Sequence, residues 1–257
     1  MIGFLVKKNF FDTWDNLFKI AFTNLGFIVS LTIPVFAPVL FEHIPVLSLG
    51  VMFAGVLWCS IYLSAVSFSV KAISDYGNFG FRDIIGNLKK ALQAGLIFGI
   101  LVFLVIILFS FVIPFYLGIN SLLGLLLAAI VFWTLIISIL AFQFFFAVIS
   151  RLDSKPGIAI KKCFILFFDN PAFCLFSMIH CLIALLLSIF VGFLVPGPAG
   201  VLLFLDEGLR LRLMKYDWLD ANPDSNKRKI PWDTILTEER EKTGSRSLKN
   251  FIFPWKD

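Results

Sequence analysis

Charge is what most of this sequence lacks. Only 15% of its 257 residues are Asp, Glu, Lys or Arg, against 59% apolar, far from a soluble average. Five stretches, Ile20–Phe41, Val46–Val70, Ala94–Gly118, Leu122–Ile149 and Ala172–Val195, run almost free of charge. A hydrocarbon core of roughly 30 Å needs about 20 helical residues to cross it, and all five are longer than that. Alternating polarity is missing too, which excludes barrel strands. Helices give every backbone amide an internal partner in a solvent that offers none. The expected class is all-α, a polytopic transmembrane helical bundle.

Reactive groups are equally sparse. There are 2 His and 4 Cys. His-Glu-x-x-His, Gly-x-Ser-x-Gly, a phosphate-cradling glycine loop and paired intramembrane aspartates are all missing. No enzymatic activity, cofactor or metal is therefore expected. Cys59, Cys174 and Cys181 fall inside spans and Cys163 in an inside loop, without metal-ligand spacing, so free thiols are expected. The first apolar run starts only at Ile20 and lacks an Ala-x-Ala-like exit, which argues against a cleaved signal peptide.

The charge that is present is placed with a pattern. Lys7, Lys8 and Lys19 precede the first stretch. Lys71, Arg82, Lys89 and Lys90 separate the second from the third. Arg151, Lys155, Lys161 and Lys162 separate the fourth from the fifth, and eleven more follow the fifth. The alternate connections, Glu42–Pro45, Asn120–Ser121 and Pro196–Gly200, hold none. Positive charge stays cytoplasmic during insertion. Both chain ends should therefore lie inside a bacterial cytoplasmic membrane, which needs a sixth, shorter span near 198–219. The net charge of +5 is spread over short loops, as topology alone requires, so no nucleic-acid partner is expected.

Along the chain, residues 4–19 form an expected interfacial helix. Phe10, Trp14, Leu17 and Phe18 occupy its lipid face, and Lys8, Asp12, Asp15 and Lys19 the other. Spans follow at about 20–41, 46–70, 94–118, 122–149, 172–195 and 198–219, completing a membrane domain of residues 1–219. Pro34 and Pro38 should bend the first span and Pro114 should interrupt the third. Phe81–Leu92 and Ile158–Asp169 read as two cytoplasmic amphipathic helices, each with a Lys-Lys pair and each leading into a span. That repeated layout hints at an internal duplication. Residues 220–257 form a cytoplasmic tail, with a helix over Asp233–Lys242 capped by Asp233 and an aromatic cluster at Phe251–Trp255.

Few polar groups enter the spans. Ser60, Ser64, Ser67 and Lys71 share one helical face, either as a polar lining or as ordinary interhelical packing. Gly95-x-x-x-Gly99 permits close helix approach, internally or in a dimer. Asp206 and Glu207 are the carboxylates deepest within a span. They are candidates for proton or substrate handling, unless Arg210 and Arg212 simply neutralise them. His180 reads as a hydrogen-bonded packing residue. Glu238–Glu241 reads as an exposed helix face.

Several patterns resemble the YesL-like family of small bacterial membrane proteins. They are Asn24-Leu25, the Leu31–Pro34 turn, the small and aromatic run Tyr62–Lys71, the surface helix Phe81–Leu92, the Phe144–Arg151 segment and the basic helix Leu209–Tyr216. Together they cover about residues 10–218; Asp206-Glu207 and the chain after Asp220 depart from the family pattern. The resemblance implies a membrane fold and an accessory place in carbohydrate uptake. The expected role is a non-enzymatic accessory or assembly partner of another membrane complex such as a transporter. Its partners would be the lipid bilayer and a membrane protein or a second copy. The alternative is a small permease or lipid-handling protein with a polar path between helices.

Overall fold

The computed structural model describes residues 1–152, 155–226, 230–244 and 246. Among these, all regular structure is helical. The helices are α1 (Ile2–Asp15), α2 (Leu17–Phe36), α3 (Pro45–Ser74), α4 (Phe81–Ile107), α5 (Ile113–Gly118), α6 (Leu122–Phe142), α7 (Phe145–Leu152), α8 (Pro156–Asp169), α9 (Pro171–Ile189), α10 (Gly197–Ala221), α11 (Trp232–Ile235) and α12 (Thr237–Thr243). Local sequence explains many of the ends. Pro45, Pro156 and Pro171 sit at the first helical position of α3, α8 and α9, where their missing N–H is not needed. The Ser121 hydroxyl accepts the Gly124 N–H at 3.1 Å to start α6. Pro34 lies inside α2, whose continuation Ala37–Phe41 tightens into a 3₁₀ turn at Pro38.

Five helical segments are long and apolar enough to cross a membrane: Leu17–Phe41, Pro45–Ser74, Phe81–Gly118, Leu122–Leu152 and Pro171–Ile189. They mark a multi-pass membrane protein. Their lipid-facing surface is apolar, with Phe18, Val46, Leu122 and Phe190 among the most exposed side chains. The expected sixth span is not among them. It lies in α10, which carries charge along its second half. This most polar of the long helices is the axis of the bundle, packed against α1, α2, α3, α7 and α9. Twelve of its residues, including Asp206 and Glu207, are buried.

Several expected boundaries shift. The surface helix Phe81–Leu92 is not separate; it runs into the third span as one helix to Ile107. A π turn at Leu108–Val112 then absorbs the break just before Pro114. The fourth span is divided at Gln143–Phe144 into α6 and α7. The expected interfacial helix ends at Asp15 rather than Lys19. Its Lys8 is fully buried beside Glu207 of α10, while Trp14 and, beyond the helix, Phe18 are 51% and 81% exposed. In the tail, the helix expected over Asp233–Lys242 is present but broken at Leu236, and Asp233 lies inside its first turn rather than capping it. The cluster Phe251–Trp255 lies outside the described residues.

Gly95 and Gly99 serve internal packing. A Cβ on Gly95 would collide with the backbone of Ile61, and one on Gly99 would sit 2.8 Å from Leu57 Cδ2. Together they join α3 and α4 into the most extensive helix pair.

Candidate functional site

Buried charge collects at one end of the bundle, where α3, α7, α10, α1 and the tail helix α12 converge. Asp206, with only 2% of its side chain exposed, is ion-paired with Arg151. All three nitrogens of Arg151 are engaged. Its Nε donates to the Asp206 carbonyl at 3.2 Å, and its two terminal nitrogens reach Asp75 Oδ1 at 3.0 Å and Ser74 Oγ at 2.6 Å as well as Asp206. Arg210 donates to the Ser74 carbonyl, lies 3.1 Å from Asp75 and holds Glu239 at 2.6 Å. A second knot lies beside the first. Lys8 donates to Asp12 at 2.5 Å and stands 3.9 Å from Glu207 Oε1, both of its carboxylate partners being buried or nearly so.

Tyr76 joins the two knots. Its hydroxyl donates to Glu239 Oε2 at 2.8 Å and lies 3.2 Å from Thr243 Oγ1. Lys8 Nζ, Arg210 and Lys242 lie 4.0, 5.3 and 5.8 Å from its ring centroid, within range of the attraction between cations and an aromatic face. Burial, followed by the neighbouring Glu239, pushes its hydroxyl pKa above the usual phenol value. The backbone that presents this ring is unusual. Tyr76 takes φ +60° while the Gly77 N–H closes back on the Ala72 carbonyl at 2.7 Å. A side chain in the left-handed position that normally caps a helix with glycine costs about 1 kcal/mol or more.

The expected pairing of Asp206 and Glu207 with Arg210 and Arg212 on the same helix is therefore corrected. Asp206 goes to Arg151 on α7, Glu207 to Lys8 on α1, and Arg210 to Asp75 and Glu239. Arg212 lies over Phe173 and Trp232, 4.2 and 5.8 Å from their ring centroids. Burial explains the redistribution, since a desolvated carboxylate takes the cation that packing brings to it, not the one spaced along its own helix. Glu239 is corrected likewise: expected on an exposed face, it is 2% exposed.

The serine row is buried as well. Ser60, Ser64 and Ser67 are 4%, 0% and 2% exposed. Ser67 donates to the Ser64 carbonyl at 2.7 Å, and Lys71 donates to the Ser150 carbonyl at 2.9 Å. The Ser67 bond closes within α3, and only Lys71 ties α3 to a neighbour, α7. His180 stacks on Phe204 and Phe176, with centroids 4.0 and 6.1 Å away. The largest cavity, about 550 Å³, is apolar, lined among others by Phe27, Leu31, Phe98, Met178 and Phe193, with Gln143 its single amide. Gln143 Nε2 donates to the Leu140 and Cys174 carbonyls at 2.8 and 2.9 Å, tying α6 to α9.

The four cysteines are free and buried. Burial raises the Cys163 thiol in α8 to about 12. Among the described residues, no three His, Cys, Asp or Glu side chains gather as metal ligands. Sequence reasoning missed Arg151, Tyr76, Lys8 and Asn24 as organising residues. Arg151 counted only as a topology signal, Lys8 also as part of a polar helix face, Asn24 as a residue of the first span and part of a resemblance, and Tyr76 carried no signal. No family model, curated protein or solved structure matches this chain.

Proposed function

We propose that this is a non-enzymatic integral protein of a bacterial cytoplasmic membrane, acting as an accessory or assembly partner of another membrane complex such as a transporter. In this reading the charged end of the bundle faces the cytoplasm, α10 returns the chain to that side, and both chain ends lie there. The observation that carries it is the use made of buried ionisable groups. Glu207 holds α1 through Lys8, Arg210 holds α12 through Glu239, and Asp206 joins α10 to α7 through Arg151. They build a fixed cytoplasmic platform in place of a polar path across the membrane. Arg82, Lys89 and Lys161 remain exposed around it, suited to an acidic partner or anionic headgroups. The resemblance to YesL-like proteins points toward carbohydrate uptake.

Affinity purification from native membranes in mild detergent tests the reading. A second membrane complex should be recovered in constant ratio, and charge reversal of Arg82, Lys89 and Lys161 together should lower that ratio. Recovery of the protein alone under several mild detergents overturns it. The second reading, a lipid-handling protein, is favoured by the apolar cavity rather than by any polar lining.

A further inference from the structure

The turn between α9 and α10 differs from an ordinary surface loop in three ways. The first is position. Asn24, two turns into α2, donates to the Leu194 and Pro196 carbonyls, both at 2.8 Å, and accepts the Ala199 N–H at 2.8 Å. The tip, Gly192 and Phe193, faces the same cavity as Phe27 and Ile28. From Ile28 the α2 segment continues through Phe36 and the 3₁₀ turn to Phe41. At a helical rise of about 1.5 Å per residue, the tip therefore stops roughly 20 Å short of the α2–α3 turn.

The second is composition. From Ile189 to Pro198 no side chain is polar, although Phe190 is 87% and Val191 51% exposed. The third is backbone satisfaction. The N–H groups of Phe190, Val191, Gly192 and Phe193 all donate to carbonyls of the last turn of α9, and that of Leu194 to the Val191 carbonyl. Gly197 donates to Ser188 Oγ at 2.9 Å. A loop in water has no need of such closure, whereas a loop in hydrocarbon cannot exist without it.

We propose that α9 and α10 form a re-entrant hairpin, which enters from the charged end and turns inside the bilayer. Acyl chains of the opposite leaflet then fill the space above its tip. In a hydrocarbon core of roughly 30 Å, spanned fully by α2, α3 and α4, Phe190 at 87% exposure leaves the region over the tip uncovered by the described helices. Water is excluded by the apolar walls, so lipid tails extending into the 550 Å³ cavity complete the packing. Parity of the chain ends is unchanged, because a hairpin that goes in and returns leaves them on one side just as two crossings do. The proposal rests on bilayer placement and stands apart from the accessory role above.

A nitroxide label on Phe190→Cys tests it, in the full chain reconstituted into phospholipid vesicles, with His43→Cys as reference. The native thiols are buried, so wild type supplies the labelling background. Relaxation at Phe190→Cys should be enhanced severalfold more by oxygen than by a water-soluble nickel chelate, with the ratio reversed at His43→Cys. Val191→Cys repeats the measurement should the first variant fold poorly. Nickel access at 190 or 191 matching that at 43 overturns the re-entrant turn. Low access to both reagents overturns the lipid assignment, since protein would then cover the tip.

Discussion

The hairpin α2–α3 and the hairpin α9–α10 are both joined at proline, yet they end differently. The first closes at Glu42-His43, whose side chains are 66% and 91% exposed. The second closes on Phe190 and its apolar neighbours, and recruits Asn24 from α2 and Ser188 from α9 to satisfy its backbone. Their feet meet in one knot, because Arg151 binds Ser74 and Asp75 at the end of α3 as well as Asp206 of α10. What each foot stakes on it differs: Lys71 of α3 makes one hydrogen bond to a carbonyl, whereas Asp206 of α10 is a buried carboxylate paired with Arg151. A hairpin that reaches water can leave polar groups to the solvent. One that turns in hydrocarbon must bring partners for its turn and, at its foot, neutralise every buried charge.

The sharpest way to break this contrast is at the feet. Arg151→Met leaves Asp206 desolvated and unpaired, and loss of one partner of a buried ion pair costs about 3–5 kcal/mol. Lys71→Met removes a single hydrogen bond, about 0.5–1.5 kcal/mol. Thermal unfolding in detergent should show the first variant far below the second. Equal losses at the two sites would mean that Arg151 is not the anchor.

The turns give the next largest difference. Asn24→Leu orphans the Leu194 carbonyl and the Ala199 N–H and leaves the Pro196 carbonyl with the Gly200 N–H alone. Two buried groups at about 1 kcal/mol each, reduced where the unfolded chain finds partners in the membrane, give about 1–2 kcal/mol. Ser30→Ala, which removes the Trp58 bridge at 3.2 Å and a helical back-bond at 2.9 Å within α2–α3, should cost less than about 1 kcal/mol. Protease nicking near residue 193 in detergent should rise for Asn24→Leu alone. If both variants behave alike, the turn does not depend on Asn24.

This contrast shows what the sequence could and could not disclose. The five apolar segments were legible because lipid imposes one demand, length without charge, on every span. Helix ends slipped where Phe81–Leu92 had no break to separate it from the span after it. The partners of Asp206 and Glu207 were hidden because Arg151 lies three helices back in the chain and Lys8 near its very start, while Arg210 stood one turn off and looked sufficient. The burial of Glu239 was hidden for the same reason. The depth of the α9–α10 turn was written in Phe190–Pro198, which is devoid of polar side chains. Counting cations masked it, because that count sorts the two sides of a membrane and says nothing about how far between them a turn lies.

The smallest expected effect belongs to the lower end of α10, outside the lipid. Asp169, at the end of α8, accepts the Tyr216 hydroxyl at 2.5 Å and Asn170 Nδ2 at 2.8 Å, with Lys215 Nζ 3.3 Å away. The Tyr216 hydrogen bond first, then the Lys215 charge, hold its carboxyl below the ordinary value. A carboxylate depressed in the folded state stabilises above its unfolded pKa of about 4 and loses that contribution as pH falls through the lower folded value. Such a half-exposed pair contributes at most about 1 kcal/mol. The wild type should thus unfold slightly above Asp169→Asn at pH 7, with the gap constant down to about pH 5 and closing below about pH 4. A gap that persists in acid would show that shape rather than charge holds α10 against α8. The contrast between a charged, water-facing foot and a sealed apolar tip would then rest on the Asp206 knot alone.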